Sequence, residues 1–229
     1  MQTLEDFDGS GEGGICGVDE AGRGPVIGPM VVVGLMVDDD KVLRDLGVKD
    51  SKKLTPARRE QLAIEVREVT RHEMVIASAE DIDTLRQRFT MNVIESKMFA
   101  TVIERLGAKV AYVDAADTNE NEFKNLITCE LKNTIRIISK HGADALYPVV
   151  SAASIIAKTK RDALVDEIRT ELGADIGSGY PSDQKTIDFL KQWYTEHGEM
   201  PPHTRRSWKT VDRIISELSI SSLDEFGEG

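Results

Sequence analysis

The chain has 229 residues, 40% of them hydrophobic, with ordinary amounts of glycine and proline. That length suits one globular domain with a small appendage, and the composition excludes a disordered chain. The formal charge is -11, from 29 basic and 40 acidic residues, which taken alone points away from nucleic acid. Local clusters point the other way: Lys49, Lys52, Lys53, Arg58 and Arg59 form one, and His203, Arg205, Arg206, Lys209 and Arg213 another. Each reads equally as a solvated face or as a basic strip able to hold a duplex.

Residues 1–14 read as a polar, Gly-rich leader. Residues 15–19 predict a short strand ending in an acid, and residues 26–37 a second strand with β-branched enrichment. The turn Gly22-Arg23-Gly24-Pro25 joins them as an antiparallel hairpin. Thr55 and Pro56 start a helix with Leu62, Val66 and Val69 on one face, and residues 73–78 return as a strand. Residues 83–106 predict one long helix stopped by Gly107. Residues 109–114 form another strand that terminates in Asp.

Asn119 and Glu122 have capping-box spacing ahead of Phe123, Leu126, Leu131, Ile135 and Ile138. Residues 143–148 are short and apolar apart from Asp144. A helix from Ser151 carries Ile155, Leu164, Ile168 and Leu172, and two more are expected at residues 182–197 and 207–218. Trp193, Tyr194 and Trp208 are expected to pack the late helices on the main domain. Strands alternate with helices after an antiparallel start, so the fold class is α/β, a mixed sheet flanked by helices with a C-terminal helical extension.

Cys16 and Cys129 lie far apart among apolar neighbours and predict buried free thiols. The acidic start lacks the apolar core of a secretion signal, and the apolar stretch 26–37 is too short to span a bilayer. A cytoplasmic protein without membrane contact is expected.

Asp19-Glu20, Asp114 and Asp144 are acids at apolar strands or their edges. One such acid would serve as a turn cap or ion-pair partner. Several converging on one sheet edge repel each other unless cations neutralise them, and all-oxygen ligands suit Mg²⁺ or Mn²⁺ rather than zinc. Adjacent side chains point to opposite faces of a strand, so Asp19 is the firmer bridging ligand and Glu20 needs the strand to have ended. Gly22-Arg23-Gly24 either closes a tight turn or lets backbone groups approach a ribose or phosphate. Of Lys158, Lys160 and Arg161, Lys158 is placed to face the acids and the others read as solvated. Tyr180, between Gly179 and Pro181, is either a plain surface tyrosine or a platform for a sugar or base.

The run Asp19-Glu20-Ala21-Gly22-Arg23-Gly24-Pro25 resembles the type 2 ribonuclease H family. The likeness continues through Asp50-Ser51-Lys52-Lys53-Leu54, Tyr112-Val113-Asp114, His141-Gly142-Ala143-Asp144, Tyr147-Pro148 up to Lys158, and Gly177-Ser178-Gly179-Tyr180-Pro181. It covers about residues 15–212, and the archaeal branch looks nearest. The resemblance implies a ribonuclease H-like mixed five-stranded sheet, with a catalytic domain at 15–174, a helical extension completing the substrate cleft at 175–218 and a polar tail at 219–229. It implies Asp19, Glu20, Asp114 and Asp144 as catalytic carboxylates holding two divalent cations, Mg²⁺ or Mn²⁺. Gly22, Arg23 and Gly24 would sense the ribonucleotide 2′-hydroxyl, with Tyr180 at the same junction.

Further substrate contacts are expected from Lys52, Ser151, Lys158, Arg205, Arg206 and Lys209. The implied substrates are RNA/DNA hybrids and duplex DNA containing ribonucleotides. Cleavage is on the 5′ side of the ribonucleotide, giving 3′-hydroxyl and 5′-phosphate ends, as ribonucleotide excision and DNA replication require. A monomer is expected. Ile220, Leu223 and Phe226 resemble a degraded sliding-clamp peptide or belong to a frayed tail. Type 3 ribonuclease H, a small-molecule phosphohydrolase and a non-catalytic binding module compete. Ala21 favours type 2, and the intact acid set disfavours a module without catalysis.

Overall fold

The computed structural model describes residues 14–48, 55–115 and 119–227, with side chains as far as Ile220. Five strands form one mixed sheet among the described residues: β1 (Ile15–Ala21), β2 (Met30–Val37), β3 (Arg71–Ala77), β4 (Val110–Asp114) and β5 (Arg136–Lys140), in the order β3-β2-β1-β4-β5. β1 pairs antiparallel with β2, from Ile15 opposite Val37 to Ala21 opposite Val31. On its other side β1 runs parallel to β4, with Val18 opposite Val113, and β4 runs parallel to β5, with Asp114 opposite Lys140. The hairpin and the mixed sheet are as expected. Central β1 is covered on both faces, which is why its apolar run is nearly continuous rather than alternating.

The helices are α1 (Lys41–Asp45), α2 (Pro56–Val69), α3 (Ala79–Arg86), α4 (Met91–Leu106), α5 (Glu120–Glu130), α6 (Ala143–Leu146), α7 (Pro148–Leu172), α8 (Gln184–His197) and α9 (Lys209–Gly227). The single helix expected over 83–106 is two. Ser78 and Asp81 make a capping box that starts α3 earlier, and the Thr90 hydroxyl accepts from the Val93 amide to start α4 afresh. The helix begun at Asn119 ends at Glu130, and Ile135 and Ile138 belong to or flank strand β5 instead. Asp144 is accordingly on a helix, α6, and not at a strand end. β2 begins at Met30 rather than residue 26, because Gly28 at φ +92° and Pro29 break the ladder. Cys129 is exposed, contrary to expectation, whereas Cys16 is buried. α9 continues past residue 218, where the sequence pattern ended it.

The chain divides into two compact units. The first comprises Met1–Ala21, Val31–Val75 and Thr90–Lys160 and contains most of the sheet. Its core includes Phe99 of α4 edge-on to Phe123 of α5, with ring centroids 5.3 Å apart. Gly17 of β1 is there because nothing larger fits: a Cβ would lie 2.3 Å from the carbonyl carbon of Val149 in α7. The second unit comprises Gly22–Met30, Ile76–Phe89 and Arg161–Gly229, with a core that includes Ile27, Val165, Ile168, Leu190 and Ile214. An isolated β-bridge between Ile27 and Thr204 joins two of its distant segments. No helix among the described residues is long and apolar enough to cross a membrane.

Candidate active site

Three of the four predicted carboxylates meet in the first unit. Asp19 comes from β1, Asp114 from the end of β4 and Asp144 from the first turn of α6. One oxygen from each lies within 4.8 Å of the others. The sheet accounts for the first two, because parallel β1 and β4 set Val18 opposite Val113, and Asp19 and Asp114 are the next residue on each. Asp144 joins because Gly142, at φ +62°, turns the chain immediately after β5. The Ala143 amide donates to Asp114 Oδ1 at 3.1 Å, fixing that carboxylate against the same turn.

Asp19 and Asp144 are 5% and 7% exposed, so their charges are poorly hydrated. Burial pushes the Asp19 carboxyl well above its ordinary value, and the charges of Glu20 and Asp114 push it further. A hydrogen bond from Ser154 pulls the other way. Glu20 is half-buried and hydrogen-bonded with Asp19, but lies outside the group of three converging oxygens. The charges of Glu20 and Asp114 raise the cost of ionising Asp19, a repulsion that a hard, multiply charged cation would relieve. The all-oxygen donor set fits Mg²⁺ or Mn²⁺.

α7 supplies a polar chain beside Asp19. Lys158 Nζ donates to Ser154 Oγ at 2.8 Å, and Ser154 bonds Asp19. Lys158 therefore does face the acids, through Ser154, which sequence reasoning missed. Ser151, expected to touch substrate, is 1% exposed and donates its hydroxyl to the Val48 carbonyl at 2.7 Å. Burial makes its role one of holding α7 in place. Lys52 lies outside the described residues.

The remaining predicted residues belong to the second unit. Gly22 has φ +88°, and a Cβ there would lie 2.5 Å from the Pro29 carbonyl oxygen and 2.8 Å from the Arg161 side chain, so only glycine serves. Tyr180 is 38% exposed and packs its ring over the Arg161 guanidinium, 5.3 Å from centroid to Cζ. The same ring would be 3.5 Å from a Cβ placed on Gly24, so turn and tyrosine are neighbours. Gly179 anchors Tyr180: its carbonyl accepts from the amides of Val26 and Ile27, and its own amide donates to Thr186 Oγ1.

The Ribonuclease HII family model matches residues 16–211. The chain belongs to the ribonuclease HII family. It is 49% identical over 215 residues to the Methanosarcina barkeri ribonuclease HII, covering 89% of this chain and 96% of that protein. The crystal structure of ribonuclease H2 from Pyrococcus horikoshii superposes with a TM-score of 0.83 at 40% identity, covering 90% of this chain and 98% of that one. The ribonuclease HII bound to PCNA from Archaeoglobus fulgidus superposes with a TM-score of 0.81 at 41% identity, covering 87% and 96%. The membership makes the chain a type 2 ribonuclease H, a hydrolase, and the three aspartates are a group whose geometry could hold a metal ion.

Two expectations need correction. Arg205 was placed on a basic strip facing a duplex, yet it has no exposed surface, and its guanidinium is spent on backbone carbonyls within the second unit. Arg161 was read as solvated and is 7% exposed, beneath Tyr180. Both errors share a cause, since a buried arginine in a polar run looks like a surface one. Arg206 and Lys209 are exposed as expected. Trp208, expected to be core packing, also donates its indole N–H to the Gly24 carbonyl at 3.2 Å.

Proposed function

We propose that this ribonuclease HII hydrolyses the RNA strand of RNA/DNA hybrids and incises duplex DNA on the 5′ side of a single embedded ribonucleotide, leaving 3′-hydroxyl and 5′-phosphate ends. The convergence of Asp19, Asp114 and Asp144 within 4.8 Å carries the reading, because carboxylates held that close repel one another and a bound cation relieves the repulsion. They would hold two divalent cations, Mg²⁺ or Mn²⁺, with Glu20 at the margin. Cations so bound would lower the pKa of an attacking water and stabilise the departing 3′ oxygen.

The chain's own residues supply the rest. The Lys158–Ser154 pair orients Asp19 and offsets part of the cost of ionising its buried carboxyl. The Gly22-Arg23-Gly24 backbone and Tyr180 would read the ribose, since RNA differs from DNA at a given step by its 2′-hydroxyl. Exposed Arg206 and Lys209 offer phosphate contacts, which position without reading sequence. Little base preference is therefore expected.

The test is cleavage of a labelled DNA duplex containing one ribonucleotide, with and without Mg²⁺ or Mn²⁺, beside an all-DNA control. Metal-dependent cutting only on the ribonucleotide's 5′ side supports the reading. Folded protein that cuts with neither metal would overturn it. A sliding clamp is the proposed protein partner, through Ile220, Leu223 and Phe226 on α9. The support is that the Archaeoglobus relative is seen bound to PCNA and that Ile220 is 61% exposed. Deleting residues 219–229 should abolish clamp pull-down without changing cleavage of short duplexes.

A further inference from the structure

The most deeply buried cation of the second unit has no role in the cleavage chemistry described above. Arg205 is 0% exposed, and its guanidinium donates to three backbone carbonyls of the Gly22–Met30 segment. Nε reaches the Gly28 oxygen at 3.0 Å, Nη1 the Arg23 oxygen at 2.8 Å and Nη2 the Gly22 oxygen at 2.5 Å. Its own amide donates to the Val26 carbonyl at 2.8 Å, and its Cζ lies 4.9 Å from the Trp208 ring centroid. Trp208 in turn donates to the Gly24 carbonyl. The carboxylate of Asp83 does not pair with the guanidinium. It caps the same turn instead, accepting from the amides of Arg206 and Ser207 at 2.7 and 3.0 Å.

Burying a charge among carbonyl dipoles is costly, and here it lowers the guanidinium pKa to about 9. Apolar packing would close an ordinary turn more cheaply. What a guanidinium adds is direction. In a trans peptide the C=O and the following N–H point opposite ways, and no peptide bond among the described residues is cis. Drawing the Gly22 and Arg23 carbonyls onto Arg205 therefore turns the Arg23 and Gly24 amides to the opposite side. A positive charge behind those two peptide planes also polarises them, which strengthens the N–H groups as donors.

We propose that Arg205, assisted by Trp208, is the positioning residue for ribose discrimination. It fixes the Gly22–Gly24 backbone so that the Arg23 and Gly24 amides are presented to a ribose or phosphate oxygen. The proposal rests on the ribonucleotide-cleaving function given above. It assigns the recognition geometry to a side chain that never meets the substrate. Lysine cannot replace it, because one ammonium cannot span three carbonyls arranged as a fork.

Two variants test this, Arg205→Lys and Trp208→Phe, with steady-state kinetics on the single-ribonucleotide duplex. Trp208→Phe keeps the ring over Arg205 and removes only the donor to Gly24. Losing one hydrogen bond of about 1 kcal/mol corresponds to a roughly fivefold higher KM, with kcat within twofold. Arg205→Lys should lower kcat/KM by about 100-fold while its Mg²⁺-induced thermal shift stays that of the wild type. A role confined to folding would lower the folded fraction and leave the KM of the folded enzyme unchanged in both variants, and that result overturns the proposal. If Arg205→Lys does not fold, an unchanged KM in Trp208→Phe is sufficient to reject it. Absence of cleavage by the wild type would instead refute the function itself, before either variant is compared.

Discussion

Replacing Asp114 by Asn should make the protein more stable without metal and catalytically inert with it. Asn keeps the Oδ1 acceptor, so the bond from the Ala143 amide at 3.1 Å survives and the turn before α6 is preserved. What goes is charge. Two carboxylates 4.8 Å apart repel by about 3.5 kcal/mol at an effective dielectric of about 20. Of the three pairs in the cluster, the substitution removes the two that include Asp114. Most of that repulsion is already relieved in the wild type, because the Asp19 carboxyl is raised and holds a proton over a wider pH range. The residual gain expected is about 2 kcal/mol, or about 4–8 °C in Tm for a chain of this size.

Metal reverses the order. A wild type saturated at about 100 times Kd gains about 2.7 kcal/mol that the variant largely forgoes. Cleavage should fall by at least about 10³-fold, equivalent to about 4 kcal/mol of lost transition-state stabilisation. Thermal melts in EDTA and in Mg²⁺, beside a cleavage assay, read all three quantities. An Asp114→Asn protein that melts below the wild type in EDTA, or that keeps the full Mg²⁺ shift, refutes the like-charge account of the site.

Asp19→Asn carries a pH signature. With its folded pKa raised by burial and by Glu20 and Asp114, Asp19 contributes stability that is fully present below its unfolded value near 3.8 and lost as pH rises through the folded one. In EDTA the wild type should thus fall progressively behind Asp19→Asn as pH rises above about 4, and a constant gap in Tm would contradict the assignment. Gly17→Ala should cost about 3 kcal/mol or more, or yield insoluble protein, because its Cβ meets the Val149 backbone at 2.3 Å. Gly107→Ala, with φ +68° but open space around it, should cost only about 1 kcal/mol, and equal urea midpoints for the two would be inconsistent with close sheet–helix approach. Ser151→Ala should lose about 1–2 kcal/mol of stability with KM and kcat unchanged, whereas a raised KM would restore Ser151 as a substrate contact.

The aspartates of β1 and β4 were legible because their logic is one-dimensional: apolar runs reaching Asp19 and Asp114 are strands, although β1 continues to Ala21 rather than stopping at the acid. Asp144 was found for the right residue type but the wrong element, since four residues of α6 leave no periodicity to read. Ile135 and Ile138 have helical spacing and lie three apart, yet Arg136–Lys140 is a strand, so tertiary pairing with β4 overrode the local pattern. The break between α3 and α4 was carried by caps at Ser78 and Thr90 inside an otherwise helical composition. Least legible were Ser154, Arg161 and Arg205. Their partners are Asp19, Tyr180 and the Gly22 turn, and only the fold reveals that a polar residue is buried against something distant.

An acidic protein acting on a polyanion is less paradoxical once the charges are sorted by unit. In the first unit three aspartates converge where cations would bind, and a cation-loaded cluster attracts phosphate where an empty one repels it. In the second unit the proposed reading of ribose rests on peptide groups, which are neutral and need no basic surface, and the strongest local cation is enclosed behind them. Recognition through oriented amides tolerates a formal charge of -11 that recognition through a phosphate-binding stripe would not. The basic clusters in the sequence therefore mislead as a whole and inform residue by residue. Arg206 and Lys209 are exposed, as the proposed phosphate contacts must be, while Arg205 is turned inward against the backbone proposed to meet the sugar.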